Sequence, residues 1–187
     1  MADRCASHRG FQALDAAYRA GDLAALRAAL GDPPDFPNCR QAQPAVTDHP
    51  LEYAIYWSPL AFIAELLALG ADPNDEDTAG FPALHAALST ERPDRHDILR
   101  LLLRHGADPG QRGINDGTPL HHAVWRRDPE AVAILLAHGA DPGAWTRIDD
   151  LSTPLEDAVR SGFAAGAALL RESAGTQAAA GTTTRSG

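Results

Sequence analysis

The chain has 187 residues, of which 44% are hydrophobic, 22% charged and 6% aromatic, so it is long enough for one ordinary domain or one short repeat array. All sixteen basic residues are arginine and stand against twenty-five acidic residues, which gives a net charge of −9. The lack of lysine excludes a Schiff-base or phosphate-loop lysine. The acidic balance argues against nucleic acids and anionic membranes as partners.

The N-terminal segment, residues 1–10, contains no apolar run, so we expect a tail and not a secretory signal. No stretch approaches the roughly 20 consecutive apolar residues of a membrane-spanning helix. The two cysteines, Cys5 and Cys39, are too few for a disulfide scaffold. We therefore expect a reduced protein located in the cytoplasm.

The first predicted helix pair covers residues 11–31, where an apolar pattern continues on both sides of Gly21 and Asp22, at Leu14, Ala17, Leu23, Leu26 and Leu30. This pair lacks the phrases that open and close the later ones. That difference is typical of the N-terminal cap of a repeat array.

Two short phrases then recur with one shared period. Gly-Ala-Asp-Pro begins at Gly70, Gly106 and Gly139, at intervals of 36 and 33 residues. The second phrase is most complete at Thr118–Ala123, and its leucine recurs at intervals of 33, 36 and 35 residues. These leucines are Leu51, Leu84, Leu120 and Leu155. Interleaved phrases with one period of this length predict a repeat architecture.

Each phrase has a local structural meaning. A threonine before proline starts a helix, because its hydroxyl caps free N–H groups and proline fits the first helical position. A glycine after the second apolar run ends a helix, because it adopts a left-handed backbone without a Cβ penalty. Each repeat is therefore predicted to be a helix, a turn, a second helix and an extended loop.

The phrase at residues 118–123 and the Gly-Ala-Asp-Pro-Asn segment at residues 70–74 resemble those of the ankyrin-repeat family. The resemblance covers residues 11–172 and implies an all-α ankyrin-repeat solenoid of about five helix-turn-helix units with short hairpin-like loops. The last unit, from Thr153, would be the C-terminal cap. Residues 173–187 are rich in alanine, glycine, threonine and serine without a pattern, so we expect a disordered C-terminal tail.

Three connections are longer than the period requires. One is the proline-rich stretch between Gly31 and Leu51, one lies within residues 89–97, and one lies around residues 145–151. Loops on a rigid scaffold often carry binding residues. Loops also tolerate insertions at little thermodynamic cost, so both readings stay open.

The residues that could support catalysis have simpler roles. The resemblance implies that His85 and His121 form hydrogen bonds within and between repeats, while Glu52 and Glu156 occupy that position in two other units. No histidine pair shares a helix face with carboxylates or cysteines at metal-ligand spacing. The common hydrolase and phosphate-loop motifs are absent, so we expect no catalytic residue, metal or cofactor.

The resemblance also implies that a concave face and the loop tips bind the partner. Aromatic residues and arginine are enriched at interface hot spots. The predicted partner-binding residues are Tyr53, Tyr56, Trp57, His122, Trp125 and Arg126 on the face, and Arg112, Trp145 and Arg147 at loop tips. The alternative is that Tyr56 or Trp57 packs over the core.

We therefore predict a non-enzymatic adaptor, scaffold or regulator that binds another protein as a monomer. The abundance of alanine and arginine suggests a GC-rich coding sequence of bacterial origin. Two alternatives remain open: a small-molecule or peptide sensor that uses the same groove, and a small hydrolase with a histidine and carboxylate site.

Overall fold

The computed structural model describes residues 2–40, 49–75, 82–147 and 151–182. These residues form helices and loops with no strand among them, which confirms the predicted all-α class. The helices are α1 (Ala2–Ala20), α2 (Leu23–Leu30), α3 (Pro50–Trp57), α4 (Leu60–Ala68), α5 (Ala83–Ser89), α6 (Arg95–Arg104), α7 (Pro119–Trp125), α8 (Pro129–Ala137), α9 (Pro154–Arg160) and α10 (Ala164–Thr182).

Within the described ranges the helices form five consecutive pairs, as the sequence period predicts. The chain divides into two compact units, residues 1–107 with the first three pairs and residues 108–187 with the last two. In the first unit α3 packs against both α1 and α5, and α4 packs against α6. In the second unit α7 packs against α9, and α8 against α10.

The helix starts follow the capping chemistry of the sequence. Asp22 accepts a hydrogen bond from the Ala25 amide at 2.9 Å, so it caps α2. Asp128 has the same role at α8, where it accepts from the Ala131 amide at 3.0 Å. The same aspartate cap therefore starts the second helix in two of the described pairs.

Glycine ends the second helix of the middle repeats. Gly70, Gly106 and Gly139 have φ values of 95°, 88° and 86°, where a side chain would be strained. In the phrase that follows, the aspartate side chain accepts from the amide two residues on, at 2.8 Å in all three repeats. This Asx turn fixes the start of each loop.

Two asparagines link successive loops in the first unit. Asn38 donates to the Gly70 carbonyl at 2.9 Å and accepts from the Asp72 amide at 2.8 Å. Asn74 donates to the Gly106 carbonyl at 2.9 Å. Each asparagine therefore holds the end of the next repeat by satisfying backbone groups that no helix bond uses.

Each unit has its own apolar core. In the first unit Leu66 on α4 and Leu102 on α6 are fully buried, and in the second unit Leu120 on α7 and Leu135 on α8 are as well. Burying a leucine side chain contributes about 1.5–3 kcal/mol. Since one helix pair can cover only one side of its apolar surface, stacking against the next pair is what completes the core.

Both predicted tails need correction. Helix α1 begins at Ala2, so the segment 1–10 continues into the first repeat and is not a separate tail. Helix α10 extends to Thr182, so residues 173–182 are helical, contrary to the predicted disorder. Alanine has the highest helix propensity, and these residues extend a helix whose first turns are anchored by Ala167 and Leu170 in the core. Residues 183–187 lie outside the described residues.

Candidate partner-binding surface

Trp57 is an exposed aromatic side chain at the end of α3 in the first unit. Its relative exposure is 48%, and the Arg19 guanidinium lies 4.5 Å from its ring centroid. Arg19 is oriented by Asp15, with Nε 2.8 Å from Oδ1. This hydrogen bond lowers the pKa of the Asp15 carboxyl, so the carboxylate stays charged and keeps the cation over the indole.

Tyr53, one turn before Trp57, lies in the core. Its hydroxyl donates to Asp15 Oδ1 at 2.7 Å, and its ring lies 4.6 Å from that of Tyr18. Burial, followed by the hydrogen bond to Asp15, raises the pKa of Tyr53 to about 12. The structure therefore removes Tyr53 from the candidate surface residues, because the position that the repeat register assigns to the face is covered by α1.

A groove of about 410 Å³ runs beside Trp57 in the first unit. Tyr56 and Trp57 line one side, and the turn that contains Ser89, Thr90 and Glu91 lines the other. Tyr56 is half-buried. The groove therefore combines two aromatic side chains with hydroxyl groups and a carboxylate.

Arg92 fixes the far side of this groove. Its Nη1 donates to the carbonyls of Ile55 and Ser58, both near the end of α3. Its Nε and Nη2 donate to the two oxygens of Asp94 at 2.8 and 2.7 Å, and this bidentate pair lowers the pKa of the Asp94 carboxyl. The turn extension predicted at residues 89–97 is thereby tied to the preceding repeat.

Trp125 ends α7 in the second unit, and the residue is 46% exposed. The indole Nε1 donates to Asp157 Oδ2 at 2.9 Å. The ring also lies over Gly117, where an added Cβ would be only 2.5 Å from Cη2. The rings of His121 and His122 lie 6.0 and 6.3 Å away. The Trp125 side chain is thus partly exposed to solvent, while Asp157, Gly117 and the two histidines contact the rest of it.

Asp157 is the buried group that holds Trp125. Burial alone would raise the pKa of its carboxyl, but hydrogen bonds from Ser152, Trp125 and Arg160 outweigh that effect and lower the pKa. The Arg160 side chain pairs with Asp157 while remaining 53% exposed. One carboxylate therefore orients both an indole and a guanidinium toward solvent.

The two arginines after Trp125 have different surroundings. Arg126 is exposed. Arg127 donates to the carbonyls of Ser161 and Gly162 at 2.7 and 3.2 Å, so it links the turns of two repeats. His122 is half-buried beside Trp125. We call the surface formed by His122, Trp125, Arg126 and Arg160 the Trp125 patch.

The predicted loop-tip arginines converge on a residue that the sequence did not single out as important. Arg112 Nη1 and Arg147 Nη2 each lie 2.8 Å from a carboxylate oxygen of Asp116, whose residue is only 8% exposed. The hydrogen bond from Arg147 is the main cause that lowers the pKa of Asp116 to about 2. Both arginines therefore hold two loops together, although 70% of the Arg147 side chain remains accessible. Trp145 is 53% exposed nearby in sequence.

His121 has a structural role in the second unit. Its Nδ1 accepts from the Thr118 amide at 3.2 Å, and its Nε2 lies 3.1 Å from the Ser152 carbonyl, so the proton sits on Nε2. Burial lowers the pKa of His121. At the equivalent position in α9, Glu156 accepts from the Thr153 amide at 2.8 Å. Glutamate thus replaces histidine in the cap, as a capping box permits.

Among the residues that the structure describes, no group of three histidine, cysteine or carboxylate side chains is arranged to hold a metal ion. The same part of the chain has no helix that is long and apolar enough to cross a membrane.

Comparison with known proteins gives matches over much of the chain. The family model described as ankyrin repeats (3 copies) matches residues 51–146 and 94–180. A 74-residue stretch, 39% of the chain, is 42% identical to the 2-5A-dependent ribonuclease of Mus musculus. A 78-residue stretch, 41% of the chain, is 41% identical to the same enzyme of Homo sapiens. Each match spans only 10% of the relative's length. Together the two family matches run from residue 51 to residue 180, which is well over half of the chain. The chain therefore belongs to the ankyrin-repeat family.

Proposed function

We propose that this chain is a non-enzymatic protein-binding module, an adaptor or regulator that holds its partner on the Trp125 patch, on Trp57 and Tyr56, and at loop tips that include Trp145. Ankyrin repeats are typical of protein-interaction modules, and this chain adds exposed tryptophans that are fixed by their neighbours. The partner is another protein, and the module acts as a monomer in the cytoplasm of a bacterial cell. The free, buried thiol of Cys39 suits a reducing compartment.

This proposal depends mainly on one observation: the Trp125 side chain is exposed to solvent and is also fixed in place by a hydrogen bond. A tryptophan that is 46% exposed and hydrogen-bonded through Nε1 has already lost side-chain freedom before a partner arrives. Binding then costs less entropy than at a mobile surface residue. Tryptophan and arginine together are the residue types that dominate interface energetics.

The chemistry of the histidines supports a non-enzymatic role. Both ring nitrogens of His121 are occupied by backbone groups of the repeat, so this ring is not available as a general base. The ribonuclease activity of the two relatives gives no support to catalysis by this chain, since the aligned stretch is a tenth of their length. A hydrolase function is therefore the weakest of the three sequence-based hypotheses.

A peptide or small-molecule sensor is the second candidate function, and the groove beside Trp57 favours it. Its volume of about 410 Å³ falls within the range of roughly 300–1,000 Å³ that is usual for ligand sites. A ligand in this groove would contact Trp57 directly. Quenching or shifting of Trp57 emission by a metabolite mixture, with no protein present, would support the sensor.

The deciding experiment compares partner capture by the wild type, Trp57→Ala, Trp125→Ala and the exposed control Arg171→Ala, each confirmed to be folded. A partner identified by mass spectrometry should then be purified and titrated by calorimetry. We expect each tryptophan variant to weaken binding about 10- to 100-fold and the control to bind as the wild type does. A partner that binds all four proteins equally would overturn the proposed surface.

A further inference from the structure

The first unit has a second groove on its other layer of helices, between α4 and α6. Its volume is about 490 Å³. The floor is apolar and consists of Leu60, Ala61, Ala64 and Leu101. Residues from α6 form the opposite, charged wall. This groove belongs to the second helices of their repeats, whereas Trp57 belongs to a first helix.

The outer side of α4 is unusually apolar for a surface that meets water. Glu65 is the helix's one charged residue, and the exposed side also carries Ala61 and Ala68. Leu69, directly after the helix, is 48% exposed. A surface helix ordinarily carries charged and polar residues on its outer face. Alanines keep this floor low, so that the side chains of a partner could approach the α4 backbone closely.

The charged wall contributes two cations. Arg104, in the last turn of α6, is exposed, and no ion pair within the described ranges engages it. Arg100 Nη1 lies 3.2 Å from Asp97 Oδ1 on the same helix, with side-chain exposures of 36% and 62%. Such an exposed pair contributes little to stability.

The position of this wall depends on a segment that other repeats lack. The connection before α6 contains the extension within residues 89–97, and Arg92 in it bonds to the carbonyls of Ile55 and Ser58. Ser58 lies just before α4, so the same contact ties the entry of α6 to the entry of α4.

We propose that the α4–α6 groove binds an acidic amphipathic helix of a partner protein. Aliphatic side chains spaced i, i+4 would lie on the alanine floor, and flanking carboxylates would pair with Arg100 and Arg104. The groove follows α6 from Asp97 to Arg104, about 10 Å at 1.5 Å per residue, which matches two turns of a docked helix. Asp97 also lines the groove, but two guanidinium groups outnumber this carboxylate, and they favour carboxylates, which accept charge-assisted hydrogen bonds, over a basic segment. This site does not depend on the function proposed for Trp57 and Trp125.

The test is a selection from a displayed library of random peptides, using the whole chain as bait. Peptides that bind the wild type are counter-selected against Ala64→Trp, whose larger side chain fills the groove. We expect the surviving peptides to carry net negative charge and aliphatic residues at helical spacing. Survivors that are neutral or basic, or a selection that enriches nothing, would refute the proposal.

A synthetic copy of the best acidic peptide is then titrated by fluorescence anisotropy. Arg104→Glu should weaken binding about tenfold or more, and replacement of the peptide's glutamates by lysine should partly restore binding to this variant. Arg171→Glu, an exposed arginine on α10, is the matched control and should bind as the wild type does. Trp125→Ala should also leave the affinity for the peptide unchanged, which separates this site from the Trp125 patch.

An equal loss of affinity in Arg104→Glu and Arg171→Glu would show a general charge effect and contradict the assignment. Sedimentation that shows self-association abolished by Arg104→Glu would identify a second copy as the occupant and likewise refute it.

Discussion

The indole of Trp125 and the carboxylate of Asp157 lie 32 residues apart in the chain, yet Nε1 and Oδ2 are separated by 2.9 Å. This contact joins α7 to α9 within the second unit and places a buried acceptor behind an exposed aromatic ring. A stacking contact between repeats thereby also orients a candidate binding residue.

Removal of that acceptor by Asp157→Ala should lower the free energy of unfolding by about 1 kcal/mol, since the part-buried indole N–H loses its hydrogen bond. The indole should also become mobile and weaken partner binding. The measurement is urea unfolding, together with tryptophan anisotropy in a background in which Trp57 and Trp145 are phenylalanine. Asp157→Asn keeps an acceptor oxygen and should have the smaller effect. Unchanged stability and anisotropy in Asp157→Ala would contradict this account.

Gly117→Ala should displace the Trp125 ring. The added Cβ would lie 2.5 Å from Cη2 and 2.9 Å from Cζ3, distances that real Cβ contacts do not reach. We expect a changed emission maximum of Trp125 and weaker partner binding. Gly175→Ala is the control, because no atom lies within 4 Å of its added Cβ and alanine favours a helix. If both variants behave alike, Gly117 is not the platform of the ring.

The asparagine hydrogen bond that links successive loops should be removable at residue 74, and it should be possible to introduce the same bond at residue 110. Asn74→Ala should lower the free energy of unfolding by about 1 kcal/mol, since it leaves the Gly106 carbonyl without its donor. Gly110 occupies the same position in the next repeat, its φ is not in the left-handed region, and the nearest atom to an added Cβ is Asp108 Oδ1 at 3.2 Å. Gly110→Asn should therefore gain about 0.5–1 kcal/mol. Thermal unfolding checks both changes, and a destabilised Gly110→Asn would show that the next repeat does not offer the acceptor.

Acidification should destabilise the chain through His121. The pKa of the buried ring is lowered from its usual value of 6.5, so the unfolded state takes up a proton at a higher pH than the folded state does. The stability associated with the neutral ring is complete above pH 6.5 and is lost as the pH falls below it. His121→Gln cannot titrate, so the difference in unfolding free energy between wild type and variant should shrink between pH 7 and pH 5. A difference that is constant with pH would rule His121 out as the cause.

Leu102→Ala should cost about 2–5 kcal/mol, because its side chain is completely buried between stacked helices. Helical signal from neighbouring repeats should be lost in the same transition, since each repeat is stabilised by its neighbours. Leu69→Ala, at a position that is 48% exposed, should cost little. Circular dichroism during urea unfolding distinguishes the two variants.

Sequence patterns predicted the helices well, because the residues that start and end a helix lie within a few positions of one another. The glycines at residues 70, 106 and 139 require a left-handed backbone, and Thr153 with Pro154 provides a helix start within a few residues. The five helix pairs follow from these signals and from the period. The tails were predicted less well, since composition alone does not show that α10 starts on a packed core and can continue from it.

The site was only partly predictable, because its geometry depends on contacts between distant residues. The repeat register predicted that both Trp125 and Tyr53 lie on the surface. Only Trp125 does, because α1 covers Tyr53 and the register gives no information on that contact. The roles of Asp116 and Asp157 depend on partners about thirty residues away. The one local signal for Gly117 was a glycine immediately before a helix cap, which could have suggested a close contact.

The anchoring of Arg92 changes how the extended turn before α6 should be regarded in evolution and in engineering. A loop held by its own residues can be lengthened, shortened or exchanged with few consequences. Here the inserted segment is hydrogen-bonded to carbonyl groups in the preceding repeat, so its conformation depends on two repeats and not on one. A chimera that transplants α5, the turn and α6 without the end of α3 would deprive Arg92 Nη1 of both carbonyl acceptors, while Nε and Nη2 would keep their bonds to Asp94. The smallest exchangeable module of this array therefore spans two repeats.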